Sequence, residues 1–316
     1  MPRPGQPRRG ESAQRSQGPR EMYPLPQDTR TLVESLANQC LNYGLRMDRL
    51  LLCDAQTWKL TTRSNERFAK QVDRRKILEF KEPDLARLIC AQKARWDAML
   101  RDYEGQGYTV KRLPMRAVSR VIVGLGAESV LETSIRLHRI YGFPIIPGSA
   151  LKGLARSYAE LMEGKSESDP TFAAVFGKSP PDAAAGQVIF FDAIPADPES
   201  LKLDLDVMNP HYSEYYRDGK KPPADYLNPI PVFFLAIAPG SRFLFAVASR
   251  KSKLAEQACE WLRKGLQELG VGAKTVAGYG LWEEEKGPST PSPPSGQGHA
   301  SEAPQPVPEK PGAPDV

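Results

Sequence analysis

Two short runs in this sequence combine the residue types that hold an anion: glycines that let a backbone come close, a hydroxyl, and lysine or arginine. The first is "IPGSALKGLAR", residues 146–156. Apolar residues at Leu151, Leu154, Tyr158 and Leu161 or Met162 predict a helix with Ser149 as its N-cap. Lys152 then falls in the first turn, where the helix dipole disfavours a cation by about 0.3–1 kcal/mol. Arg156 follows one turn later on the same face. Such a pair is unfavourable beside free N–H groups until an anion docks there, and Gly148 and Ser149 leave room for a phosphate. The plainer reading pairs Arg156 with Glu160 and leaves Lys152 in solvent.

The second run is "ELGVGAKTVAGYG", residues 268–280. It is not a nucleotide-binding loop of the G-x-x-x-x-G-K-[ST] type, because Lys274 follows Ala273 and the glycines close a helix rather than open one. The helix is marked by Leu254, Ala258, Leu262, Leu266 and Leu269, with Gly270 as its terminating residue. Strand-like residues follow at "TVAGYGLW". The loop therefore joins a helix to a strand. Two readings stand: backbone amides aimed at phosphate oxygens with Lys274 as a point charge, or a tight connection with a solvated lysine.

A third cluster is His138 between Arg136 and Arg139. It reads as a polar contact or as a general acid or base, and with Tyr141 and Lys152 it sketches a metal-independent ribonuclease. Tyr212, Tyr215 and Tyr216 beside His211 suit base stacking, though an interface or loop anchor is favoured.

The elements that must position these groups follow from composition. The chain has 316 residues, 40% hydrophobic and 26% charged, with net charge +5. That suits a soluble globular protein and permits a nucleic-acid partner without requiring one. Four scattered cysteines and three histidines argue against a zinc site and for free, mostly buried thiols in a reducing cytoplasm. No cofactor is implied, and no apolar run is long enough for a membrane span.

Residues 1–20 carry five arginines and one acid, and residues 287–316 carry nine prolines and no aromatic residue. Both read as disordered tails. Residues 21–116 read as mainly helical, with stripes at Leu32, Leu36 and Cys40 and at Leu85, Leu88, Ile89, Trp96 and Met99. Between 59 and 116 there are 15 basic and 8 acidic residues, with Lys70, Arg74 and Arg75 clustered, which suits a polyanion-facing surface or a solvated face. From 117 to 286 the order is strand ("SRVIVGLG"), helix, strand ("GQVIFFDAIP"), two strands ("PVFFLAIAPGSRFLFAVAS"), helix, strand. The fold class is α+β, a ferredoxin-like βαββαβ domain.

With those motifs in place, the segment resembles the RAMP superfamily of CRISPR proteins. "GLGAESVLETSIRLHRIYGFPIIPGSALKGLAR", "VIFFDA", "DVMNPHYSEYY" and "DYLNPIPVFFLAI" are similar in order and type to the sixth subunit of type III-B Cmr effector modules. The resemblance covers about residues 117–283. It implies a non-catalytic subunit that holds CRISPR guide RNA, near its 3′ side, and the guide–target RNA duplex. Its partners would be neighbouring RAMP backbone subunits and small helical subunits, in the cytoplasm and away from membrane. By position it carries an RNA-binding role to Gly148, Ser149, Lys152 and Arg156, and to Gly272, Lys274, Thr275, Gly278 and Tyr279. Arg136, His138 and Arg139 join them as RNA-contacting candidates. Ala150 stands where many relatives have a second serine. A ribonuclease on the same fold and a pure assembly scaffold are the alternatives. Backbone contact suits a subunit that must accept any guide sequence, because phosphates carry no sequence information.

Overall fold

The computed structural model describes residues 21–36, 39–58, 80–129, 133–209, 219, 229 and 231–285. The two tails, Lys70, Arg74, Arg75 and the aromatic cluster from His211 to Tyr216 lie outside them. In chain order the first elements are β1 (Glu21–Met22), α1 (Gln27–Leu36), α2 (Tyr43–Arg49), β2 (Cys53–Asp54), α3 (Pro83–Gly105) and β3 (Thr109–Ala117). Then come α4 (Gly148–Glu163), α5 (Pro170–Phe176), β4 (Gly177–Lys178), β5 (Ala184–Ala185), β6 (Ile189–Phe190) and β7 (Ile194–Pro195). The chain continues through β8 (Leu203–Met208), β9 (Val232–Ile237), β10 (Arg242–Ser249), α6 (Ser252–Glu268) and β11 (Trp282–Glu284).

The main sheet runs β11-β3-β10-β6, with β7 also beside β10, and every pairing is antiparallel. Its central strand corrects the expected one. "SRVIVGLG" forms no strand; only Val121 bridges, to Ile237. The sheet instead takes Thr109–Ala117, inside the segment read as helical, in full register with β10. Leu113, Met115 and Ala117 are buried and alternate with exposed Arg112, Pro114 and Arg116, a period of two that fits a strand. Pro114 lies within this strand although proline cannot donate to a ladder. Its carbonyl nevertheless accepts the Glu285 N–H at 3.2 Å.

Leu113, Met115, Phe243, Phe245 and Trp282 bury one face of the sheet, with Trp282 edge-on to both phenylalanines. Helix α6 packs on β3 and β10 through Leu254, Ala258, Trp261, Leu262 and Leu266. Helix α4 lies against α6 through Leu151, Leu154, Ala155, Tyr158 and Ala159. Its sequence contains no β-branched residue to restrict the turn before it. Leu161 and Met162, one of which was expected to extend the buried face, are both exposed.

The first apolar stripe also fails: α1 has no buried residue, and Leu32 and Leu36 face solvent. The second holds, with Leu85, Ile89, Trp96 and Leu100 buried. Of the four free cysteines only Cys53 is buried, so the thiols are not mostly buried as expected. No described helix is long and apolar enough to cross a membrane.

Candidate nucleic-acid interface

A belt of backbone hydrogen bonds brings the predicted motifs to one end of the molecule. Glu163, at the end of α4, meets Trp261 and Lys264 of α6, whereas Leu154 faces Gly265. The start of α4 therefore lies toward the end of α6, where the glycine loop leaves. The segment that was expected to be a strand links the rest. Arg120 O accepts from Gly280, Ile122 O accepts from Ala273 and Val123 O accepts from Arg136, at 2.8, 2.8 and 2.7 Å. Residues 136–145 then form a tight hairpin, closed by His138 N–H to Phe143 O at 2.7 Å. Ile146 and Ala193 exchange both backbone bonds, and two residues later α4 begins.

The glycine loop holds the clearest anion geometry. Lys274 has φ 61° and ψ 28°, in the left-handed region, and is followed by the short 3₁₀ turn Thr275–Ala277. This left-then-right succession turns consecutive amides toward one point, the arrangement called a nest. Among the described residues, the amides of Lys274, Thr275 and Val276 find no acceptor. Gly272 has φ 98° and lies so close to Ile122 O that a side chain there would collide with it.

Lys274 Nζ sits 5.3 Å from the centre of the Phe234 ring. Tyr279, expected to touch RNA, is turned inward. Its hydroxyl donates to Asp206 Oδ2 at 2.6 Å, and Arg120 binds Asp204 from the same side. Burial pushes the Asp206 carboxyl up, but the Tyr279 hydroxyl, the Val207 amide and Arg120 more than offset it, leaving the carboxylate below its ordinary range. Tyr279 is thus an anchor of the loop. Gly278 and Thr275 shape the turn by one bond, Gly278 N–H to Thr275 O at 2.9 Å.

The helix start differs from expectation. Pro147, not Ser149, is the N-cap and makes no side-chain cap bond. Gly148 opens the helix and is buried against Phe190, where even a methyl group would collide with the carbonyl oxygen. Its amide donates to Asp192 Oδ1 at 2.7 Å, so a carboxylate already occupies one of the free N–H groups. Ser149 is exposed, Lys152 is half-buried with no ion pair among the described residues, and Ala150 packs partly against the core.

Arg156 is not available as expected. It binds Glu160 at 2.8 Å and Glu167 at 3.0 Å and lies over the Phe172 ring. The Ser179 amide, Arg156 and the Ser179 hydroxyl together hold Glu167 down to about 2. The pairing with Glu160 that the plainer reading allowed is therefore real, and Lys152 and Arg156 do not act as a free cationic pair.

His138 is locked as well. Its Nδ1 faces the amides of Ile140 and Tyr141 at 3.3 Å each, which places the ring proton on Nε2. Burial, opposed by Asp192 and helped by Arg95, keeps its pKa below the ordinary value. Its ring stacks on Tyr141 at 4.5 Å, and Tyr141 Oη accepts from Arg95 of α3 at 2.9 Å. Arg136 and Arg139 are exposed.

The sequence reading missed Asp192, Arg120 and Asn42. Asn42 caps α2 through Leu45 N–H and donates Nδ2 to the carbonyls of Arg139 and Ile140 at 3.0 and 2.8 Å, tying the hairpin tip to that helix. Its place just before "YGLRM" is a legible cap signal, but its reach to the hairpin is not local.

Comparison with known proteins gives a consistent result. The RAMP superfamily matches residues 115–283, more than half of the chain. The CRISPR system Cmr subunit Cmr6 of Pyrococcus furiosus is 39% identical, over 51% of this chain and 64% of its own length. The CMR subunit Cmr6 of Saccharolobus solfataricus is 29% identical, over 57% of this chain and 59% of its own length. The chain thus spans less than two thirds of each of these curated relatives. A chain in the cryo-EM structure of type III-B Cmr-beta bound to cognate target RNA is 26% identical, with TM-score 0.55, covering 70% of this chain and 72% of that one.

Proposed function

This chain belongs to the RAMP superfamily, and we propose that it is a non-catalytic RNA-binding subunit of a type III-B CRISPR Cmr ribonucleoprotein. It holds guide RNA, toward the guide's 3′ side, and the guide–target duplex by backbone contacts, beside RAMP backbone and small helical subunits. The observation that carries this reading is the nest at Lys274–Val276: three amides without acceptors among the described residues, beside a lysine, on the same end of the molecule as the start of α4. Such donors suit phosphate oxygens and are indifferent to the base.

The strand order supports a ferredoxin-like reading. Taking β3, the β6–β7 edge, β10 and β11 as first to fourth, the sheet runs fourth, first, third, second, with α4 and α6 as the two crossovers. The similarity to a chain in an RNA-bound type III-B complex supports the partner assignment. Against a ribonuclease stands His138, whose Nδ1 is engaged by two amides and whose neighbour Tyr141 is engaged by Arg95.

The test is to co-purify the full chain with its neighbouring subunits, crosslink the bound RNA with ultraviolet light and map the linked peptides. Crosslinks in residues 270–280 are expected. Finding both that loop and the start of α4 linked only to protein would sink the reading.

A further inference from the structure

Between α2, the 136–145 hairpin and β9 lies a cleft of about 870 Å³. That is within the size range of small-ligand sites, about 300–1,000 Å³. Its floor is apolar, with Leu137, Ile145 and Leu235. Its rim carries Arg49, Arg136 and Arg139. Those three guanidiniums differ from most of the other described arginines, although Arg101, on α3 and away from the cleft lining, is likewise exposed without such a contact. Arg112, Arg116, Arg120, Arg156, Arg242 and Arg263 are each held by carboxylates. Arg49, Arg136 and Arg139 make no ion pair, hydrogen bond or ring contact through their side chains with any described residue. Three exposed cations drawn to one concavity, without acids holding them, point to an anionic group arriving from outside.

The lining is nevertheless not simply cationic. Asp48, Glu128 and Asp192 line the same cleft, as does His138, whose Nε2 carries the ring proton. Bare phosphate would be repelled by those carboxylates. A nucleotide's phosphate meets the same repulsion, but its base edge brings N–H donors that carboxylates accept, and its flat apolar faces suit the floor. A base still stacked in a helix cannot enter a pocket; an unstacked one can.

We propose that this cleft receives one unstacked nucleotide of the bound RNA. The arginines hold its phosphate, and His138 Nε2–H and Asp192 face the base edge. The proposal rests on the RNA-binding reading above and extends it. The glycine-loop nest ignores the base, whereas the cleft makes one position sensitive to it. Asn42 gives the cleft a fixed width, since it caps α2 and grips the hairpin tip with the same side chain.

The test uses the full chain in two arms. In the first, calorimetric titration compares AMP, CMP, GMP, UMP and inorganic phosphate on the natural protein and on an Arg136→Gln, Arg139→Gln double variant. Both positions are exposed, so the variant should fold, which a matching circular dichroism melt verifies. At least one nucleotide should bind better than phosphate, and the double variant should weaken it about tenfold, the effect of losing a charge-assisted contact. In the second arm, a single-stranded oligonucleotide is titrated against the natural protein, the double variant and Lys274→Glu. Lys274→Glu should weaken the oligonucleotide while leaving the mononucleotide unchanged.

Nucleotides binding no better than phosphate would overturn the cleft proposal, as would a double variant that binds both ligands normally. Crosslinks from the hairpin to a protein neighbour instead of RNA would overturn it too. An oligonucleotide that fails to bind the natural protein, alone or in the assembled complex, would instead remove the wider RNA reading on which the cleft depends.

Discussion

Lys274 contributes to the glycine loop in two separable ways, as a cation and as a residue held at φ 61°. Glycine at that position keeps the left-handed turn and removes the charge together with its contact to the Phe234 ring. Lys274→Glu should lower RNA affinity and reduce the slope of log affinity against log salt by about one. Lys274→Gly should cost less, because the three amides remain aimed; filter binding across a salt series measures both.

Glu167 makes a second residue-scale prediction. Its folded pKa of about 2 lies below the ordinary 4.5. Its stabilising contribution is therefore complete above about pH 4.5 and disappears as pH falls toward 2. Glu167→Gln should flatten that part of the stability-versus-pH curve, read by denaturation at several acid pH values. For the same reason Arg156→Glu is not a silent charge reversal. It sets three carboxylates together and should lower the melting temperature, whereas Lys152→Glu, with no ion pair to break among the described residues, should leave it unchanged.

Among the elements, the start of α4 is the most constrained. Gly148 touches Phe190 with no room for a methyl group. Gly148→Ala should destabilise the fold by about 1–3 kcal/mol, the usual result of overpacking a close contact, seen as a lower denaturation midpoint at unchanged slope. The position was legible as special in "PGSALKG", but for the wrong reason. Sequence logic treated the glycine as room for a phosphate, whereas the structure spends that room on helix-to-strand packing.

The same distinction runs through the fold. Helices α4 and α6 were legible because a period of 3.6 is written in the residues themselves. The central strand was not: "TVKRLPMRA" alternates correctly, but its cations and Pro114 hide the pattern, and "RVIVG" imitates a strand better. What decides between them is which segment β10 accepts as a partner, and that is not a local property.

At the scale of the whole molecule, the predicted role is grip without cutting. The full chain should hold guide RNA in a strongly salt-dependent way, since each phosphate contact to a single strand adds about −0.7 to the log–log slope. Incubation with labelled RNA should leave it intact with or without divalent metal, and His138→Ala should change nothing in that gel. Specific cuts lost on that substitution would reverse the assignment. A salt-independent association confined to protein neighbours would favour a scaffold.

By itself, the sequence determined that α4 and α6 coil. It placed glycines and cations in two short runs and marked the helix that ends at the glycine loop. These follow from residue type and spacing over a few positions, where backbone sterics and helical period act directly. Only the tertiary structure decided which charges were free. Arg156 is consumed by Glu167, and Tyr279 by an aspartate 73 residues away. Arg49 and Arg139, far apart in the chain, are left to share a cleft. Ion pairs and hydrogen bonds form over a few ångströms of space, and the chain's path, not its spelling, fixes who stands within that distance.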